Sequence, residues 1–323
     1  MDKAILGNDM NARPEKVLGR LAPSPSGRLH MGNILSFMLA SLAADLVVLR
    51  IEDLDPDRCK QEYVDQLMRD LEYLGFSWEG PVVRQSMRTE AYLEAYRKLE
   101  ALHMVYPCFC TRADLHSANA PHFGDEIVYP STCRGLSDEE REDALRASMR
   151  PGARKPSWRL MVDDEPILFD DLFQEHQEWC LARSSGDFIV RRSDGVFAYQ
   201  LAVVVDDAAM GVNQVVRGVD LLSSVPRQRY IQDLLGFGNP EVGHVPLLVD
   251  EEGRRLSKRN GDASLSYLIE ERGLSGRQIL GHLARLCGIV PEFEPLSLDD
   301  LKNYADLSKL AGQKQIVWQE PHR

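Results

Sequence analysis

The chain has 323 residues, 44% hydrophobic and 27% charged, proportions of an ordinary globular protein that exclude wholesale disorder. A formal net charge of −12 excludes an indiscriminate nucleic-acid coat, though not a nucleic-acid enzyme with a local basic groove. Six cysteines are too few for a disulfide scaffold. The run 34–49, broken by Ser36, Ser41 and Asp45, is too short to span a bilayer, so a cytoplasmic, reducing setting is expected.

Val17 to Ala22 predicts a short strand, followed by the loop PSPSGRLHMGN (23–33) and an apolar helix from about Ile34 to Ala44. LVVLRI (46–51) is continuously apolar and β-branched, which predicts a strand buried on both faces. After the acidic turn EDLDPDR (52–58), helices follow near 61–74 and 89–103. Strand, helix, strand, helix opens an α/β fold with a doubly wound parallel sheet. From Tyr106 to about Gly186 the alternation lapses among cysteines, glycines and prolines, and the stretch reads as an insertion. Alternation resumes with VFAYQLAVVVDD (196–207), NQVVRG (213–218), a helix near 219–235 and the strand HVPLLVD (244–250). The polar loop EEGRRLSKRNGD (251–262), helices near 264–272 and 275–287 and a mixed tail follow.

Three stretches carry chemistry. His30 and Gly32 stand at the mouth of the first helix, where unpaired backbone N–H groups and the positive dipole end suit a polyphosphate. The alternative is a structured turn with a surface histidine. Lys258, in RRLSKR (254–259), could neutralise a departing pyrophosphate, although a basic loop is usually only solvated. Cys108, Cys110 and Cys133 offer three thiols to a tetrahedral zinc ion, with His116 and His122 as fourth ligands on chemistry alone; the alternative is three buried reduced cysteines. Cys59, Cys180 and Cys287 have no partner spacing and read as packing residues.

Together the His30 and Lys258 loops resemble the signatures of class I aminoacyl-tRNA synthetases. RIEDLDPDR (50–58), FAYQLAVVVDD (197–207) and VVRGVDLLSSVPRQ (215–228) look like those of the glutamate-specific members, in the same order over about residues 17–262. The resemblance is nearest to the short branch of that family, which joins glutamate to queuosine in tRNA(Asp). It implies a Rossmann-type catalytic domain in two halves (1–105 and 191–262) around a zinc-binding, acceptor-binding insertion (106–190). Residues 263–323 would form a short helical appendage in place of an anticodon-binding domain. The implied partners are ATP with Mg²⁺, L-glutamate and queuosine-bearing tRNA(Asp), with one structural zinc; a monomer is expected.

Carried onto this chain, the ATP-binding residues are His30, Gly32, Asn33, Ser257 and Lys258, with His30 and Lys258 catalytic. Arg20, Ser24, Glu52, Tyr199 and Arg217 are the glutamate candidates, read as lying at ends of sheet strands or in the loops beyond, where a doubly wound sheet binds ligands. Arg20 with Tyr199 is assigned the side-chain carboxylate, Arg217 the α-carboxylate and Glu52 the ammonium. For zinc, the resemblance points to Tyr129 in Tyr129-Pro-Ser-Thr-Cys133 as the fourth ligand. RNA contact is expected on a basic strip around Arg112, Arg134 and residues 254–259. Three departures stand out: Asn33 replaces the family's second histidine, Arg255-Leu256 replaces Lys-Met, and no glycine-rich turn separates Ala44 from Leu46. The alternatives are a truncated enzyme charging tRNA(Glu) and a non-catalytic RNA-binding relative.

Overall fold

A computed structural model describes residues 16–55, 57, 59–111, 114, 128–256 and 264–321. Three parallel strands, β1 (Leu18–Leu21), β2 (Leu46–Ile51) and β3 (Val83–Arg84), lie in that order. They are connected by α1 (Met31–Ala43) and α2 (Gln61–Tyr73), and α3 (Thr89–Ala101) follows. As the apolar run predicts, β2 is covered on both sides. Val47 and Leu49 join the core beneath α1, while Val48 packs into the cluster of Phe169, Val215 and Val242.

The connection from α1 to β2 is as tight as the sequence suggests. Only Ala44 and Asp45 intervene. The Asp45 carboxylate accepts the Val17 N–H at 2.7 Å, and the N–H groups of Asp45 and Leu46 both donate to the Val17 carbonyl. This draws the turn so close to β1 that a Cβ at Gly19 would stand 2.9 Å from that of Ala44.

β4 (Val105–Cys108), β5 (Ser157–Leu160) and β8 (Phe188–Arg191) form an antiparallel sheet, and α4 (Asp138–Ser148) lies between β4 and β5 in sequence. β6 (Pro166–Asp171) and β7 (Glu175–Cys180) make a hairpin within the predicted insertion. That hairpin joins a larger sheet. β9 (Gln214–Gly218), β10 (Glu241–Val245) and β6 are parallel neighbours, with β7 antiparallel at the edge.

The two parallel sheets meet through Asn213. Its N–H donates to the Leu18 carbonyl at 3.1 Å, and its side-chain oxygen accepts the Leu18 N–H at 2.8 Å. The combined order is therefore β3-β2-β1, then β9-β10-β6. Strand order reverses between β1 and β9, the position at which open α/β sheets leave a ligand crevice.

Three expectations need correction. The first helix begins at Met31, three residues earlier than predicted, because His30 already serves as its N-cap. VFAYQLAVVVDD does not continue the sheet: Tyr199–Ala209 is a helix, α5, with Leu201 to Asp207 all buried. A short apolar run satisfies a buried helix as well as a strand, and here the tertiary environment overrides the β-branched residues. HVPLLVD is not one strand, since Pro246 ends β10 and the chain starts β11 (Leu247–Val249), which pairs in parallel with β12 (Gln315–Val317). Further helices include α6 (Val225–Leu235), α7 (Gly276–Leu286) and α8 (Leu298–Lys302). Among the described residues no helix is long and apolar enough to cross a membrane.

Candidate active site

A cleft of about 450 Å³ opens at the carboxyl ends of β1 and β9. Its lining includes Arg20, Ser24, His30, Gly32, Asn33, Glu52, Tyr199 and Arg217, so every predicted nucleotide and glutamate residue within the described chain meets in one cavity. Ser257 and Lys258 lie outside the described residues. The loop that carries them departs next to this cavity: Arg255 and Leu256 line the cleft, and the Leu256 N–H donates to the Leu248 carbonyl. It returns at Ser264, which bridges to His30. Both ends of the basic loop are thus anchored at the His30 turn and the wall beside it.

Local rules explain the mouth of α1. No acidic side chain occupies its first turn, so its dipole is left for an external anion. Asn33 closes a capping box with the N-cap His30, its side-chain oxygen accepting the His30 N–H at 3.4 Å. Gly32 packs beneath the His30 ring, where a Cβ would come within 3.1 Å of the imidazole.

Beneath the cleft runs a buried charge network. Arg20 donates through Nε to Asp207 at 3.0 Å, and Arg50, fully buried, donates to the same carboxylate at 2.5 Å and to Glu52 at 3.1 Å. Asp206 is held by Arg88, Gln85 and the Tyr92 hydroxyl. Burial alone would raise the Asp207 carboxyl, but Arg50 and Arg20 outweigh it and hold it below its ordinary value. Burial likewise lowers Arg50, and Asp207 with Glu52 more than reverses it. Both groups stay charged, and the pocket faces of Arg20 and Glu52 are fixed before any ligand arrives.

Arg217 differs. It is 5% exposed, and among the described residues no carboxylate lies within ion-pair distance of it. Its guanidinium donates to His244 Nε2, the Tyr199 hydroxyl at 3.4 Å and the Leu221 carbonyl at 3.1 Å. Burial pulls its pKa below the ordinary value. A buried cation held only by neutral acceptors is a receptor for an anion. Tyr199 stands at the first position of α5, not at a strand end, and is hydrogen-bonded by Arg217.

Several lining or supporting residues were not anticipated: Arg28, Arg50, Asp207, Asp220 and His244. Arg28 ties the loop 23–30 to Ser266, Glu270 and Asp70, and Asp220 pairs with Arg255 across the cleft mouth. The expected basic strip is partly cancelled. Arg134 pairs with Asp187, Arg254 with Asp250 and Glu252, and Arg255 with Asp220. Arg112 lies outside the described residues, as do His116 and His122.

A second centre lies at the end of β4. Each of Cys108, Cys110 and Cys133 offers an Sγ within 4.8 Å of the others. The Tyr129 hydroxyl lies 3.4 Å from the first and 3.9 Å from the second, and it accepts the Cys133 N–H at 3.0 Å. Arg159 stacks 3.6 Å over the Tyr129 ring and donates to Cys108 Sγ. Hydrogen bonding with Cys133 holds the Cys108 thiol well below its usual range despite burial, while Cys133 is pushed up in turn. Three sulfurs and a phenol oxygen converge, and zinc favours thiolate sulfur once the metal has displaced the thiol protons.

The chain matches the family described as tRNA synthetases class I (E and Q), catalytic domain, over residues 16–306. It is 46% identical over 299 residues to a protein of Nitratidesulfovibrio vulgaris named glutamyl-Q tRNA(Asp) synthetase, covering 88% of this chain and 90% of that one. A Geobacter sulfurreducens protein of the same name is also 46% identical, over 256 residues, 77% of this chain and 78% of its own. In fold it resembles the glutamate-tRNA synthetase of Elizabethkingia anophelis, with TM-score 0.78 and 24% identity over 94% of this chain and 68% of the other.

Proposed function

The chain belongs to the class I tRNA synthetases (E and Q) and is a ligase of that family; from this premise we propose that it activates L-glutamate with ATP and transfers it to queuosine at the wobble position of tRNA(Asp). The observation that carries the activation step is the charge pattern of the cleft. Two buried guanidiniums, Arg20 and Arg217, and one carboxylate, Glu52, share a cavity with the His30 loop. Two cations and one anion complement the two carboxylates and the ammonium of glutamate. The acceptor is supported by the name that the relatives share.

On this reading Arg20 with Tyr199 takes the side-chain carboxylate, Arg217 the α-carboxylate and Glu52 the ammonium, with Ser24 lining the same cavity. The α-carboxylate attacks the α-phosphorus of ATP, pyrophosphate leaves, and glutamyl-adenylate forms. A hydroxyl of the queuosine cyclopentenediol then attacks the activated carbonyl, giving an ester and AMP. No side-chain nucleophile is needed. His30, Gly32, Asn33 and the amide groups at the start of α1 hold the phosphates, while Ser257 and Lys258 oppose the charge that develops on pyrophosphate. Mg²⁺ entering with ATP offsets phosphate charge. Zinc, held by Cys108, Cys110, Cys133 and Tyr129, would cross-link the insertion 106–190 between catalytic halves 1–105 and 191–262, with 263–323 as an appendage.

The test has two parts. Labelled pyrophosphate should exchange into ATP with glutamate alone, and far more weakly with glutamine or aspartate. Labelled glutamate should join tRNA(Asp), and an isolated anticodon hairpin, only when queuosine is present. Efficient charging of tRNA(Glu) at its 3′ end, or equal labelling of tRNA(Asp) without queuosine, would overturn the acceptor assignment.

A further inference from the structure

Arg217 is held by a buried pair that the proposed reaction does not itself require. His244 stands on β10 directly across from Arg217 on β9, in parallel register, and is fully buried. Asp171 ends β6, the next strand over. Arg217 Nε lies 3.1 Å from His244 Nε2, and His244 Nδ1 lies 2.5 Å from Asp171 Oδ2.

The tautomer follows from chemistry alone. A guanidinium N–H can only donate, so His244 Nε2 accepts and the ring proton sits on Nδ1, donating to Asp171. The second oxygen of Asp171 accepts the backbone N–H groups of Phe173, Gln174 and His244, each at 3.0 Å. Four donors keep that carboxylate anionic and fixed. Burial lowers the imidazole further from its charged form than Asp171 can restore, and Arg217 adds to the effect.

We infer that His244 and Asp171 act together as positioning residues for glutamate, presenting Arg217 to the substrate carboxylate through a neutral acceptor. This rests on the reading of Arg217 as a carboxylate-binding group. The contrast with Arg20 gives the reason. The Nε edge of Arg20 faces the Asp207 carboxylate, which shares its charge. The corresponding edge of Arg217 faces a ring without charge, so orientation is fixed while the full positive charge remains for the ligand. A carboxylate at position 244 would fix the same geometry and spend the charge.

Steady-state pyrophosphate exchange on the full chain tests this, with the KM values for glutamate and ATP measured separately. His244→Leu should raise the glutamate KM at least about tenfold, the loss of one hydrogen bond to a charged group, and leave the ATP KM near wild type. His244→Gln, which returns a neutral acceptor, should recover most of that loss. Arg217→Ala is run alongside. If it leaves the glutamate KM unchanged, the reading of the site fails; if it raises that KM while His244→Leu does not, only the positioning role is overturned. Equal loss on both substrates, or no recovery with His244→Gln, would also overturn it. Should His244→Leu give no folded protein, Asp171→Asn carries the same expectation, and a wild-type glutamate KM in that variant rejects the proposal.

Discussion

Around Asp207 each buried charge meets its opposite: the guanidiniums of Arg20, Arg50 and Arg88 face the carboxylates of Asp207, Glu52 and Asp206. Around Cys108 the arrangement is lopsided, with three sulfurs and a phenol oxygen converging on one another and the Arg159 guanidinium at their edge. The first region is electrically closed by the protein and can stand preorganised beneath an empty pocket. The second gathers three thiols and a phenol whose protons an added cation would displace. Buried charge is thus balanced within the protein around Asp207 and left unbalanced at Arg217 and at the cysteines, where an anion and a cation respectively would complete it.

The largest effect should come from opening the closed network. Arg50→Met leaves Asp207 and Glu52 in the interior short of a cation, and should lower stability by about 3–5 kcal/mol in urea unfolding. The sign with pH is fixed. Because Asp207 titrates below its ordinary value in the folded chain, its contribution is complete above about pH 3.9 and is lost as pH falls through the folded value. The stability gap between wild type and Asp207→Asn should therefore close in that acid range; a gap constant down to the lowest pH would contradict the pairing. Next in size is Lys258→Ala, which should slow pyrophosphate exchange roughly 10²–10³-fold with little change in glutamate KM, since its charge acts on the phosphates.

Metal content sharpens the contrast from the other side. Elemental analysis should find close to one zinc per chain, lost in Cys110→Ser and in Tyr129→Phe but kept in His122→Ala. The reverse pattern for the last two would replace Tyr129 by a histidine. Removing the metal should depress RNA glutamylation more than pyrophosphate exchange, because the cleft holds its own shape. The smallest effect belongs to the exposed face of α4. Arg146 pairs with Glu142 and Asp143 at the surface, so Arg146→Ala should leave the melting midpoint unchanged within error.

Much of this was legible before any coordinates. The loop 23–33, the strand LVVLRI and the acidic turn after it announce a βαβ unit through local composition, and the candidate residues on them converge as read. What escaped is what pairs across long stretches of chain. Asp207 meets Arg20 and Arg50 over 187 and 157 residues, and a pair of aspartates ending an apolar run looks like a solvated turn. His244 sits in an apolar strand, where a lone histidine reads as packing. The helical setting of Tyr199 is hidden because a buried helix with both faces covered loses the 3.6-residue periodicity that marks an amphipathic one.

Asn213 joins the sheets by binding Leu18 across 195 residues of sequence. At ribosomal rates of about 5–20 residues per second, β1 waits on the order of 10–40 s after its own synthesis before this partner emerges. Through that interval one edge of β1 carries unpaired backbone groups beside the apolar Val17 and Leu21, the kind of surface that recruits foreign strands. The same wide spacing raises contact order and slows the search for the native pairing. The crevice between β1 and β9 thus cannot form until β9 has been made, long after β1, and the yield of active protein should depend on how slowly and how cold it is made.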